Sequence, residues 1–74
     1  MTDNCEKSEY LIKKGNCLMI LGEYKQAIEC FDESIRFKSV AFAFHLKGLC
    51  LKYLQHYAEA IDCFDQALKV SIIR

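Results

Sequence analysis

The chain states one phrase of eleven residues twice. YKQAIECFDES, Tyr24 to Ser34, returns thirty-three residues later as YAEAIDCFDQA, Tyr57 to Ala67. The agreement extends upstream, where Lys14, Gly15, Cys17, Leu18 and Leu21 recur as Lys47, Gly48, Cys50, Leu51 and Leu54. A unit duplicated at this period builds an array in which each copy stacks on its neighbour, and that constraint precedes any single-site idea.

Within the phrase the spacing predicts a helix. Tyr24, Ala27, Ile28, Phe31 and Ile35 lie along one stripe, while Lys25, Gln26, Glu29, Asp32, Glu33 and Arg36 take the opposite face as solvated charge. The second copy puts Tyr57, Ala60, Ile61, Phe64 and Leu68 in the stripe. Ala27 and Ala60 are small enough to let two helix backbones approach closely.

Punctuation then divides the chain into four helices. Asp3 and Glu6 have the spacing of a capping box and open a first helix that runs to about Leu21, with Leu11, Gly15 and Leu18 inward. Gly22 supplies the left-handed turn that closes it. A second helix spans about Tyr24 to Phe37, a third about Val40 to Leu54, and a fourth Tyr57 to about Val70 after a turn at Gln55-His56. The junction at Lys38-Ser39 is weakly marked, with Ser39 as the expected N-cap. No Pro occurs in the chain and no Gly between Gly22 and Gly48, so the second and third helices have the option of merging into one rod.

Composition excludes several classes. At 74 residues the chain is near the lower limit for folding alone. Ordering costs roughly 1.5 kcal/mol per residue against about 25 cal/mol per Å² of apolar burial, so contacts from a partner weigh heavily. Ten basic residues balance ten acidic ones, which argues against nucleic acid as a partner, since that needs a basic stripe. There is no long apolar run to span a membrane, and the polar start MTDNCEKSE does not read as a signal peptide. Five cysteines without an export signal point to free thiols in a reducing, cytoplasmic setting.

Taken together the two copies resemble a pair of tetratricopeptide repeats. Gly15 and Gly48 match the glycine of the family's first helix. Tyr24 and Tyr57, Ala27 and Ala60, and Phe31 and Phe64 match markers of its second helix; Ala67 matches a later small position that Ser34 fills in the first copy. Departures are Leu11 and Phe44 where the family often has Trp, Lys14 and Lys47 at a usual Leu, Ser39 for the inter-repeat Pro, and Gln55 for the turn glycine. The resemblance implies an all-α fold of two helix–turn–helix repeats in a short right-handed α-solenoid. Residues 1–7 would be a lead-in or cap, 8–40 the first repeat and 41–74 the second.

It also implies a function. The first helix of each such repeat lines a concave groove that takes an extended or helical peptide. By position the groove residues are Ile12, Lys13, Asn16 and Ile20, with Glu9 beside them, then Phe42, His45, Leu46, Leu49, Lys52 and Tyr53. Lys13 and Asn16 could belong to a clamp for a peptide carboxylate, but Ile12, Phe42 and Leu46 stand where further polar groups would be needed. The third helix is apolar nearly all round, and Phe42, Leu46, Leu49 and Tyr53 make a stripe that two hairpins alone should leave bare. Ile61, Leu68, Ile72 and Ile73 form a second uncovered edge, suited to a homodimer, including one that exchanges a hairpin through a straightened Lys38-Ser39 junction. The rival expectation is a purely structural, self-assembling unit with no outside ligand.

Other chemistry has little support. Cys17 with Cys50 and Cys30 with Cys63 occupy equivalent places, as duplication gives, and read as small buried apolar residues. No CxxC occurs, and neither His45 nor His56 has a cysteine at helical spacing, so no metal or cofactor is expected. No phosphate loop or nucleophile elbow is present, and no catalytic residue is assigned.

Overall fold

A computed structural model describes residues 3–72, which form four α-helices: α1 (Asn4–Ile20), α2 (Tyr24–Phe37), α3 (Ala41–Tyr53) and α4 (Tyr57–Ile72). Each helix packs on its neighbour, and α1 also touches α3, whereas the backbones of α2 and α4 do not approach. The stack therefore curves toward the α1/α3 side. It is a thin slab of 38 × 30 × 14 Å by Cα positions.

Local chemistry sets the helix ends. The Glu6 backbone N–H donates to the Asp3 carboxylate at 2.8 Å, so Asp3 caps α1. At the α1–α2 turn, Gly22 adopts φ +84°, its N–H donates to the Met19 carbonyl, and the Glu23 N–H donates to the Leu18 carbonyl. The α3–α4 turn repeats this pattern. Gln55 takes φ +67°, its N–H donates to the Lys52 carbonyl and that of His56 to the Leu51 carbonyl. Both are the paired-bond closure in which one left-handed residue satisfies two last-turn carbonyls. Gln55 makes that turn as tight as Gly22 does, with a side chain the conformation disfavours.

The second and third helices do not merge. Lys38 (φ −161°, ψ 125°) and Val40 (φ −119°, ψ 129°) are both extended, so residues 38–40 break the rod. The residue at the α3 N-cap position is Val40, without a side-chain cap bond, rather than the expected Ser39. Packing explains the bend. It folds α3 back on α1 and α2 within one chain and buries Ala43, Leu46 and Cys50, which a continuous rod would leave in water. Burying the leucine alone is worth about 1.5–3 kcal/mol.

Two apolar clusters hold the slab. Ala27, Phe31, Leu46 and Cys50 form the first, with Ile12, Leu18, Met19, Tyr24, Ile28 and Leu49 against it; Leu51, Ala60 and Cys63 form the second, with Ile28 and Phe64 against it. Ile28 belongs to both and ties the hairpins together. Gly15 lies against the Phe31 ring, where an added Cβ would stand 2.6 Å from Cε1; Gly48 meets Phe64 in the same way, at 2.7 Å. The duplicated glycines are thus seats for the duplicated phenylalanines.

One polar pair inside the first hairpin was not foreseen. Ser8 and Ser34 are buried, their hydroxyls 2.8 Å apart, and the Ser34 hydroxyl also reaches the Ser8 carbonyl at 3.1 Å. One repeat later the same two positions are Ala41 and Ala67. Both hydroxyls are present or both are gone, as expected where a lone buried hydroxyl would cost more than either pairing.

Candidate functional site

Helix α3 decides what the protein can offer. Its stripe of Phe42, Leu46, Leu49 and Tyr53 does not lie bare along its length. Leu46 is 5 % exposed and packs with Ala27, Phe31 and Cys50, and Leu49 is half-buried against the same cluster. Leu46 is thus a core residue and not a surface anchor: α2 passes over the middle of α3 and covers it there. The ends of the stripe project beyond that crossing, and Phe42 and Tyr53 remain 54 % and 58 % exposed. A rise of 1.5 Å per residue puts these two aromatic rings' backbones about 16 Å apart.

Each end is held by other rings. Phe42 stacks on His45 at 6.4 Å, and His45 meets Phe64 of α4 at 5.7 Å. Ala41, Phe42, His45, Ala67, Leu68 and Ser71 line an open groove of about 360 Å³ between α3 and α4. At the other end Tyr53 stacks on Tyr24 with centroids 5.1 Å apart and planes 19° from parallel. Lys52 is exposed beside it.

On α1 the predicted groove residues separate. Ile12 packs on the first cluster and lines a cleft of about 240 Å³ with Cys5, Glu9, Lys38 and Val40, where the Lys38 ammonium donates to the Cys5 sulfur at 3.2 Å. Lys13 is exposed, Asn16 half-buried, and Ile20 is 77 % exposed at the helix end. Ile12 and Leu49 thus pack against one cluster of α2 and α3 residues, while Ile20, Phe42 and Tyr53 are more than half exposed near helix ends.

The helix α4 edge is open. Ile61, Leu68 and Ile72 are each more than half exposed, as is Tyr57; Ile73 lies outside the described residues.

Two features escaped the sequence. Asp32, expected on a solvated face, accepts a 2.6 Å bond from the Lys47 ammonium and pins α2 to α3. Burial lowers the affinity of Lys47 for its proton, but the bond to Asp32 and that residue's charge outweigh it and raise the pKa above the ordinary lysine value. The clue was Lys47 itself, a charge at a usual leucine position. The second is a cleft of about 500 Å³ between the start of α1 and the end of α2, lined by Glu6, Lys7, Tyr10, Leu11, Glu33 and Phe37, with the Lys7 ammonium 5.3 Å from the Phe37 ring centre. Its signal was an aromatic residue near each of two helix ends that the hairpin brings together.

The cysteines divide by position. Cys30, Cys50 and Cys63 are buried free thiols, while Cys5 and Cys17 are exposed. Cys17 therefore departs from its equivalent Cys50, which α2 covers; the same face of α1 meets no such helix among the described residues. Burial pushes the Cys50 thiol up to about 11 and raises Cys30 and Cys63 as well, with Lys14 and Lys47 respectively pulling these two back. Thiols held protonated in this way are poor nucleophiles and ligands. Among the described residues no three His, Cys, Asp or Glu side chains are grouped to hold a metal, and no helix is long and apolar enough to cross a membrane.

Two antiparallel helix hairpins, each seating a phenylalanine of its second helix on a glycine of its first and stacked through α2 and α3, define a protein of the tetratricopeptide-repeat type. Such repeats are non-catalytic interaction modules. The chain belongs to the family described as anaphase-promoting complex, cyclosome, subunit 3, whose model matches residues 1–67. No curated protein and no solved structure matches the chain.

Proposed function

We propose that the chain is a protein–protein interaction module, not an enzyme, and that its α1/α3 face receives a peptide or helix from another protein. The reading divides the array into repeats at 8–40 and 41–74. The observation that carries it is the pair of half-exposed aromatic anchors, Phe42 and Tyr53, at the two ends of an otherwise buried stripe. A fitting partner presents two apolar side chains about 16 Å apart, as an amphipathic helix does over three turns. Half-buried Leu49 lies between the anchors along α3, and half-buried Ile12 of α1 packs on the same cluster as Leu49. Lys13, Lys52, Asn16 and His45 supply donors around them, so carboxylates on the partner would fix its orientation. The family's description names a subunit of a multi-protein complex, which favours assembly over chemistry.

The test is affinity capture with wild type and with Phe42→Asp and Tyr53→Asp. Both positions are too exposed for these changes to unfold the chain, so the helical circular dichroism should persist. Each is expected to weaken capture roughly tenfold, as loss of an aromatic anchor does. Unchanged capture by the double variant would overturn the groove. Leu46→Asp is not a usable probe, because it unfolds the core.

A second reading, self-association through Ile61, Leu68 and Ile72, is favoured by their exposure on one helix. Placement in the cytoplasm belongs to the same proposal, supported by three thiols packed as small apolar groups, a use that suits a reducing compartment.

A further inference from the structure

We infer that Cys5 and Lys38 form a peroxide-sensitive staple: oxidation joins the Cys5 sulfur to the Lys38 side-chain nitrogen and ties the start of α1 to the segment leading into α3. The Lys38 ammonium already donates to the Cys5 sulfur at 3.2 Å. The two residues stand 33 positions apart, one full repeat period, so each holds the same place in successive units. Stacking α3 beside α1 brings such equivalent positions next to each other, and a lysine side chain spans the gap between the backbones. Repeat geometry, not a local turn, therefore sets the contact. The staple goes beyond the partner-binding reading and does not depend on it.

Access and partner together single out this thiol. Cys30, Cys50 and Cys63 are buried, and Cys17, though exposed, has no lysine nitrogen bonded to it among the described residues. The pair lines a cleft of about 240 Å³ with Glu9, Ile12 and Val40, roomy enough to admit a peroxide molecule. Ile12 and Val40 are half-buried and give the cleft an apolar wall. Glu9, about one helical turn after Cys5, brings a carboxylate that can take up a proton.

The chemistry balances with hydrogen peroxide as the oxidant. The sulfur attacks one peroxide oxygen; an S–O bond forms as the O–O bond breaks, the sulfur gives up two electrons, and water leaves a sulfenic acid behind. The Lys38 nitrogen, after releasing one proton to water or Glu9, then attacks the sulfur. An N–S bond forms, the S–O bond breaks and a second water departs. One thiol, one ammonium and one peroxide thus give the sulfenamide, two waters and one proton. An exposed sulfenic acid otherwise meets another thiol or more peroxide, and a nitrogen already in contact intercepts it first. A dithiol reverses the link by attacking the sulfur and releasing the amine. The closed loop restricts the unfolded chain and pins residues 38–40, whose extended backbone makes the bend between α2 and α3.

The test treats the reduced chain with hydrogen peroxide and weighs it intact, with Cys17→Ser removing the other exposed thiol. The mass should fall by about 2 Da, the two hydrogens lost in the link. Trypsin should no longer cut after Lys38, leaving residues 37–47 joined to the peptide that carries Cys5. Dithiothreitol should restore mass and cleavage, and the linked form should melt roughly 10 °C higher than the reduced one. Lys38→Gln should abolish the link, as should oxidation in urea, where nothing holds the pair together. Cys5 recovered as sulfinic acid or in a disulfide, with Lys38 free, overturns the proposal. So does a link that forms equally well in urea. A link without a rise in Tm overturns its hold on the fold.

Discussion

Helices α2 and α4 are spelled almost alike and end in different surroundings. In α2, Tyr24 and Ile28 are half-buried and Phe31 is fully enclosed, because α3 crosses over them. In α4, Tyr57 and Ile61 are more than half exposed and Phe64 is half-buried, because no described helix follows on that side. The inward-turned residues fare alike: Ala27 and Ala60, Cys30 and Cys63 are buried in both copies. The faces toward the helix's own hairpin partner are thus fixed by the repeat itself, while the face toward the next repeat depends on what stands there.

The largest test of this contrast is the phenylalanine pair. Phe31→Ala should cost about 3–5 kcal/mol, enough to unfold much of a domain this small, since the ring is wholly enclosed. Phe64→Ala should cost less than half as much, because part of that ring already faces solvent. Urea denaturation of the two variants decides, and equal losses would break the comparison.

A smaller effect separates the two hairpin interiors. Ser34→Ala alone strands the Ser8 hydroxyl and should cost roughly 1–2 kcal/mol, while the double change of Ser8 and Ser34 to alanine, which copies the second repeat's Ala41 and Ala67, should recover most of it. Thermal melts of the cycle measure the coupling; simple additivity would mean the hydroxyl pair contributes nothing.

The turns give the smallest difference. Gln55→Gly should stabilise the chain by about 1 kcal/mol and raise Tm by about 4–8 °C, since the φ of +67° favours glycine. Gly22→Ala should lose a similar amount. If Gln55→Gly lowers Tm, the side chain contributes something at that turn that its backbone geometry does not reveal.

Much of this architecture was legible beforehand. The period placed two hairpins, and the stripe and Gly22 placed α2 closely; the paired glycines and phenylalanines were legible as duplicated markers, though not as contacts with one another. What periodicity could not supply was where one helix crosses another. Phe42, Leu46, Leu49 and Tyr53 share a stripe, yet only a crossing over its middle turns Leu46 inward and leaves the ends out. The Asp32–Lys47 bond was hidden for the same reason: a charge on an outer face becomes an inter-helix contact only once the neighbouring helix is in place. Residues 38–40 were ambiguous because no single residue there forces the bend; the burial of α3 does.

The order in which helices touch has a kinetic consequence. Among the described residues every contact between helices joins a helix to its neighbour or to the next but one, and α1 does not meet α4. Search over long stretches of chain is therefore unnecessary, and topologies of such low contact order acquire their structure in microseconds to milliseconds. A molecule of this kind spends little time with its sticky side chains exposed during refolding, which should spare it aggregation.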